Sequence, residues 1–149
     1  MISNIQPNIS DAEWEIMRVV WTNQTVTSKQ ITAIVKEKMN WKQATIKTLI
    51  GRLVDKGMLQ TEAVGNKYLY SPLITEEESL KSKTNDFFDH VCNRKVGLTI
   101  ANLISEATLS HTDVQMLEEL LKQKTNEAVD VVSCDCIPGQ CDCQNHNHQ

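Results

Sequence analysis

Four of the five cysteines in this chain fall within ten residues near the C-terminus, and they restrict what that segment can form. In an extended segment, residues i and i+2 point to the same face, so each Cys-x-Cys pair aims its two sulfurs the same way. Pro138 and Gly139 suit the central positions of a type II turn, which would fold one pair back onto the other. The motif therefore predicts four thiolates around one point, and those thiolates come from Cys134, Cys136, Cys141 and Cys143.

Four converging thiolates favour a metal site. Zn(II) prefers tetrahedral sulfur, and Cu(I) is a softer cation that thiolates bind still better. The alternative is two disulfides, which we disfavour because no N-terminal apolar segment marks the chain for secretion and cytoplasmic thiols stay reduced. We expect Cys92 to be a small buried residue rather than a fifth ligand. His146 and His148 could assist metal capture, but their polar surroundings favour disorder.

Three amphipathic helices are predicted before residue 57. Ser10 with Glu13, and Thr27 with Gln30, form capping boxes that start the first two helices. The third helix runs over residues 42–56 and ends at a glycine. The residues predicted to be buried are Trp14, Met17, Val20 and Trp21, then Ile31, Ile34, Val35 and Met39, then Ile46, Leu49, Ile50, Leu53 and Val54.

A β-hairpin is predicted after the third helix. Residues 58–63 and 67–70 form strands joined by a turn at Gly65 and Asn66, and Ser71-Pro72 ends the second strand. Three short helices followed by a hairpin predict a winged helix-turn-helix, in which the third helix enters the major groove of DNA.

The face of the third helix opposite its apolar stripe carries small, hydroxyl and cationic side chains, which suit phosphates and base edges. An ordinary solvated face is the alternative for this pattern alone. Residues 1–73 hold nine Lys/Arg and six Asp/Glu, a balance of +3 that is consistent with a polyanionic partner. The predicted DNA-binding residues are Lys42, Gln43, Ala44, Thr45, Lys47, Thr48 and Arg52, with Lys67 on the wing.

The remaining chain predicts three more short helices, starting after Thr75, at Val96 and after Ser110. They are too small to bury much surface alone, so we expect a homodimer, which also matches a palindromic DNA site. The predicted fold is mainly α. It has a winged helix over residues 1–73, a helical dimerisation domain over 74–133 and a metal-binding tail over 134–149. No run is apolar enough to span a membrane, and no catalytic constellation is present, so we expect a cytoplasmic protein that is not an enzyme.

Two segments resemble the penicillinase-repressor (BlaI/MecI) family of winged-helix repressors. They are Ser-Asp-Ala-Glu-Trp-Glu-Ile-Met over residues 10–17, followed by Val20-Trp21, and Thr-Ile-Lys-Thr-Leu-Ile-Gly-Arg-Leu-Val-Asp-Lys-Gly over residues 45–57. The cysteine tail resembles the copper-responsive, CopY-type branch. This resemblance implies a dimer on an inverted repeat of TACA/TGTA type that blocks a copper-export operon. It further implies that a Zn(II)-loaded form holds DNA, and that Cu(I) from a small copper chaperone replaces the zinc and releases the operator.

Other functions remain open at this point. The antibiotic-sensing branch of the resembled family is inactivated by cleavage at an Asn-Phe bond, but the corresponding position here reads Asn102-Leu103. That difference and the cysteine tail argue against this branch. A thiolate protein that buffers metal or docks a chaperone is a second alternative, and the pattern of the third helix argues against it. A metalloenzyme is disfavoured because four thiolates leave no open coordination position.

Overall fold

The computed structural model describes residues 8–143 of the chain. The chain divides into two compact units, one ending at Lys83 and one starting at Thr84. This division falls inside a helix rather than at the predicted boundary between residues 73 and 74, and the three predicted domain assignments stay predictions. The elements are α1 (Asp11–Asn23), β1 (Val26–Thr27), α2 (Ser28–Met39), α3 (Gln43–Asp55), β2 (Leu59–Val64), β3 (Lys67–Pro72), α4 (Glu76–Phe88), a 3₁₀ turn (Asn93–Lys95), α5 (Val96–Glu106) and α6 (His111–Thr125).

The first three helices start and stop close to the predicted residues. Both predicted capping boxes are present, with the Ser10 hydroxyl accepting from the Glu13 N–H and the Thr27 hydroxyl from the Gln30 N–H. Gly57, at φ 78°, lies just beyond the end of α3 in the left-handed region that favours glycine. Three helices with these ends, followed by the β2–β3 hairpin, confirm the predicted winged helix-turn-helix.

The core of the first unit is formed by α1, α2 and α3 against the base of the sheet. Ile16, Met17, Ile31 and Leu53 have no exposed surface. The prediction for Ile34 is wrong, because this side chain is 48% exposed. At about 100° per residue it lies about 60° to one side of Ile31 on α2, whereas Val35 and Met39 lie to the other side, toward the core.

The sheet has three antiparallel strands in the order β1-β3-β2. The hairpin register runs from Leu59 opposite Pro72 to Val64 opposite Lys67. β3 continues two residues beyond its predicted end at residue 70 and stops at Pro72, which pairs with Leu59 of β2. A proline is tolerated there because β1 pairs only with Leu69 and Tyr70, so that residue 72 lies at an edge on that side. The two-residue β1 is too short to be predicted from alternation, and it joins the wing to the start of α2.

Two polar contacts fasten the ends of these elements. Lys56 Nζ, just after α3, donates to Glu13 Oε1 at 2.6 Å and to the Asn8 carbonyl at 2.7 Å. Glu13 is 1% exposed, so the end of α3 is tied to the start of α1 by a nearly buried carboxylate. Trp21 Nε1 donates to the Ile74 carbonyl at 2.9 Å, which holds the segment before α4 against α1.

The helices of the second unit leave many apolar side chains exposed. On α5, Leu98 is 66% and Leu103 is 55% exposed, and on α6, Leu120 is 52% and Leu121 is 59% exposed. Two neighbouring helices with this many exposed leucines are uncommon on the surface of a monomeric protein. Among the helices within residues 8–143, none combines the length and the apolar character needed to cross a bilayer.

Candidate metal centre and DNA-binding surface

The cysteines of the tail gather into one cluster. Cys134 Sγ lies 3.4 Å from Cys141 Sγ, far longer than the about 2.05 Å of a disulfide. None of the five cysteines, all of which lie within residues 8–143, forms a disulfide. The four tail cysteines are half-buried, whereas Asp135 and Asp142 between them are exposed, as expected for sulfurs that share one face of an extended segment.

A tight turn brings the two Cys-x-Cys pairs together. The Gln140 N–H donates to the Ile137 carbonyl at 3.1 Å, which closes a four-residue turn with Pro138 and Gly139 at its centre. Gly139 has φ 96°, a conformation that suits the third position of a type II turn. The predicted turn is therefore confirmed.

The cluster contains a fifth sulfur that the sequence analysis did not place there. Cys92 Sγ lies 3.6 Å from Cys134 Sγ and 3.6 Å from Cys143 Sγ. Cys92 is buried, as predicted, but it is buried against the tail sulfurs rather than apart from them. Cys92 and Cys134 are 42 residues apart, so no spacing motif connects them. The one signal in the sequence that could have pointed to Cys92 as part of the cluster was the odd number of cysteines.

The 3₁₀ turn that follows Cys92 binds the tail at three points. Arg94 Nε donates to the Val132 carbonyl at 2.7 Å, and Asn93 Nδ2 donates to the Ser133 carbonyl at 3.4 Å. Lys95 Nζ lies 3.7 Å from a carboxylate oxygen of Asp142. The tail is thus held beside Cys92 on both sides of its turn.

The thiols differ in acidity because their surroundings differ. A hydrogen bond from the backbone N–H of Arg94 lowers the pKa of Cys92 to about 7, helped by the neighbouring thiols. The backbone N–H of Cys143 likewise lowers the pKa of Cys141. Burial raises the pKa of Cys143 to about 12 and raises that of Cys136 as well. Backbone N–H donors and burial therefore act on the pKa of different thiols within the one cluster.

The sulfur positions suit a metal ion. Zn–S bonds of about 2.3 Å in a tetrahedron place neighbouring sulfurs about 3.8 Å apart, close to the distances of 3.4 and 3.6 Å found here. Ligand atoms of Cys92, Cys134, Cys136 and Cys141 all lie within 4.8 Å of one another. The cluster therefore fits a thiolate-bound metal, which would act by joining segments rather than by opening a site to substrate. His146 and His148 fall outside the described residues.

A second candidate site is the outer face of α3. Ile46, Leu49, Ile50 and Leu53 are buried, so the opposite face of this helix points away from the core. Every predicted contact is exposed, including the one on the wing: Lys42, Gln43, Ala44, Thr45, Lys47, Thr48, Arg52 and Lys67.

The start of α3 differs from the other helix starts of the first unit. Lys42 at its N-cap position makes no side-chain capping hydrogen bond, whereas α1 and α2 both have capping boxes. Uncapped N–H groups and the positive end of the helix dipole favour an anion such as a phosphate. The first turn of α3 is therefore suited to the backbone of DNA.

A groove runs between α3 and the wing. It has a volume of about 470 Å³ and is lined in part by Lys47, Gly51, Thr61 and Tyr68. Tyr68 is 58% exposed, so it is a further candidate contact that sequence reasoning set below Lys67. An alternating strand pattern does not reveal whether a tyrosine covers the core or a groove.

Comparison with known proteins agrees with this architecture. A model of the penicillinase repressor family matches residues 9–123, which is most of the chain. The chain belongs to the penicillinase repressor family. Because the members are transcriptional repressors, the prediction that the chain is not an enzyme is confirmed. The cysteine cluster lies largely beyond the matched segment and is consistent with the CopY-type branch of this family.

Individual relatives extend over most of the chain. The "uncharacterized 16.5 kDa protein in ptsI 3'region" of Latilactobacillus sakei is 43% identical over 136 residues, covering 91% of this chain and 93% of that protein. The penicillinase repressor of Bacillus licheniformis is 28% identical, covering 80% of this chain and 94% of its own length.

Two solved structures are similar to about half of this chain. The solution structure of the DNA-binding domain of the repressor BlaI has 32% identity and a TM-score of 0.47, covering 51% of this chain and 93% of that one. The CopR repressor structure has 44% identity and a TM-score of 0.40, covering 46% of this chain and 99% of that one.

Proposed function

We propose that this chain is a copper-responsive repressor, which binds an operator as a homodimer and releases it when Cu(I) replaces Zn(II) at the cysteine cluster. One observation carries this proposal: a repressor of this family has, in the same chain, a sulfur cluster at metal-binding distances. Such a protein acts where the operator lies, which places it in the cytoplasm.

The DNA is bound by α3 and the wing. Lys47 and Arg52 are exposed cations on the outer face of α3, and Lys67 lies on β3. Cations at these positions neutralise phosphates, whereas Thr45 and Thr48 are suited to base edges in the major groove. The uncapped start of α3 supplies further N–H donors to the backbone of the DNA.

The second unit supplies the dimer contact. Exposed leucines on α5 and α6, among them Leu98, Leu103 and Leu121, form the apolar surface that a second copy would cover. A symmetric dimer matches the symmetry of an inverted-repeat operator. Glutamate at both Leu103 and Leu121 should shift sedimentation from dimer to monomer, because a charge at an apolar contact between the two copies would be desolvated.

The metal exchange acts through geometry rather than charge. One Zn(II) on four thiolates has the same net charge as two Cu(I) ions on four thiolates. Zinc requires one tetrahedral centre, whereas Cu(I) as a soft cation accepts bridging sulfurs and lower coordination. A ligand shifts a conformational equilibrium only by its differential affinity for the two states, so the shape of the loaded cluster must differ between the DNA-bound and the released forms.

The route of Cu(I) into the cluster is a separate element of the proposal. A cleft of about 410 Å³ lies beside Cys92 and Cys136 and is lined also by Asp89, His90 and Asp135. Such an opening gives a copper chaperone access to the sulfurs, so that Cu(I) passes between thiolates without entering solution.

Operator binding by the full chain tests this function. A fluorescent duplex with a TACA/TGTA inverted repeat is titrated with protein in the presence of Zn(II), of Cu(I) under reducing anaerobic conditions, or of a chelator. Tight binding with Zn(II) and release with Cu(I) are expected. A variant with serine at all four tail cysteines should bind weakly and ignore copper, because an empty tail lacks the ordering free energy of the metal.

Two results would contradict the proposal. Operator binding that is equal under all three conditions would leave a repressor without metal sensing, as in the antibiotic-sensing branch. Metal binding without any operator binding would instead favour a metal-buffering protein.

A further inference from the structure

We propose that Cys92 is itself a metal ligand, so that the bound ion joins the C-terminal tail to the segment between α4 and α5. This inference rests on the proposed metal-dependent function and assigns a residue outside the tail motif to its site.

The first argument is the position of the sulfur. Cys92 Sγ has two tail sulfurs at 3.6 Å, those of Cys134 and Cys143. The group of four ligand atoms within 4.8 Å of one another includes Cys92 together with Cys134, Cys136 and Cys141. An ion placed among the tail sulfurs would therefore meet Cys92 at a bonding distance with little rearrangement.

The second argument is the surroundings of Cys92. A cysteine that serves only as a small core residue is packed against carbon atoms. Here the thiol is buried against sulfur, with the sulfurs of Cys134 and Cys143 each at 3.6 Å. Thiols at such distances are arranged as the ligands of a thiolate-bound metal are.

The third argument is that the tail is already docked at this point. Arg94, Asn93 and Lys95 of the 3₁₀ turn hold Val132, Ser133 and Asp142. These contacts are made by the three residues that follow Cys92, and they hold the tail so that its sulfurs face the Cys92 sulfur.

The ligation has a physical consequence. An ion held by tail cysteines alone closes a loop within residues 134–143, whereas an ion that also binds Cys92 closes the chain around α5 and α6. Because the unfolded chain has no preformed site, the binding free energy of the ion is added to the folding of the segment that contains both helices. Each thiol that binds releases its proton to solvent, so no redox step is involved.

The test must allow for substitution between ligands, because five thiols compete for four positions. We therefore use full-length Cys143→Ser, which retains Cys92 and three tail cysteines, and compare it with Cys92→Ser/Cys143→Ser. Co(II) is the probe at one ion per chain, since its sulfur charge-transfer intensity and its ligand-field bands report the number of thiolates. Cys134→Ser/Cys143→Ser is the matched control, because it removes a second tail thiolate in place of Cys92.

The expected result is that Cys143→Ser gives a four-thiolate spectrum and both double variants give a three-thiolate spectrum. The loss of one ligand should weaken metal binding by about a hundredfold, in keeping with the large free energy that a structural zinc site distributes over its ligands. If Cys143→Ser and Cys92→Ser/Cys143→Ser have the same spectrum and affinity, the inference is overturned. Circular dichroism of the metal-free variants shows that each one is folded.

Amide hydrogen exchange on the full chain provides a readout that does not involve DNA. Zn(II) should slow exchange across α5 and α6 in Cys143→Ser, and the added Cys92→Ser substitution should confine the protection to the tail. Protection that stays within residues 134–143 in both proteins would also overturn the inference. Failure of the proposed function is distinguishable from this outcome, since it would be seen as operator binding that ignores metal in the wild-type chain.

Discussion

Replacing Glu13 by Gln tests how the end of α3 is held. Glu13 Oε1 accepts from Lys56 Nζ at 2.6 Å and from the Ser10 N–H at 2.9 Å. Glutamine keeps the shape and the capping hydrogen bond but removes the charge. A hydrogen bond to a charged group contributes about 1.5–3 kcal/mol and a neutral one about 1 kcal/mol, so the substitution should cost about 0.5–2 kcal/mol of unfolding free energy.

The lower half of that range is the better expectation, because the Lys56 side chain is 31% exposed and water screens part of the attraction. A double-mutant cycle with Lys56→Met isolates the pair from the bond that Lys56 also makes to the Asn8 carbonyl. We expect a coupling free energy of about 1 kcal/mol at neutral pH.

Urea unfolding of the full chain at pH 7 provides the measurement. The three tryptophans of the chain are Trp14, Trp21 and Trp41, so fluorescence follows the first unit even when the second unit is present. A double-mutant cycle with zero coupling, or a Gln variant as stable as the wild type, would refute the reasoning.

The same pair predicts a pH dependence. Burial alone would raise the pKa of Glu13, but the hydrogen bonds from Lys56 and Ser10 together lower it below its ordinary value of 4.5. A lowered carboxyl pKa contributes stability that is fully present above that ordinary value and is lost as the pH falls through the folded-state pKa. The stability difference between wild type and Glu13→Gln should therefore disappear in acid, whereas a constant difference would show that the charge is not its cause.

Four further substitutions have defined outcomes. Gly139→Ala places a Cβ at φ 96° and should weaken Zn(II) binding about tenfold in a chelator competition, because the left-handed region costs about 1–2 kcal/mol for other residues. Trp21→Phe removes the donor to the Ile74 carbonyl and should lower the urea-unfolding free energy by about 1 kcal/mol. Alanine at Lys47 or Arg52 should lower the salt dependence of operator binding by about one unit per lost phosphate contact, and unchanged affinity in both would remove α3 from the interface.

Features set by neighbouring residues were predictable from the sequence. The capping boxes at Ser10 and Thr27, and the turn at Gly139, each depend on side chains or backbone preferences within four positions. The exposure of Ile34 was not predictable, because the rotation of α2 is decided by what α1 and α3 place against it. The position of Cys92 in the cluster was not predictable either, because it contacts Cys134, which is 42 residues further along the chain, and no local sequence pattern links residues so far apart.

The uncapped start of α3 has a consequence for how far this protein can be stabilised. A serine or aspartate at position 42 would satisfy a free N–H and commonly adds about 1 kcal/mol to a helix. In a repressor that uses those N–H groups for phosphate, the new side chain would occupy the place of the ligand. Under the proposed function, thermostability and operator affinity would select for opposite residues at position 42, and a search for stable variants of the free protein would choose the ones that bind DNA less well.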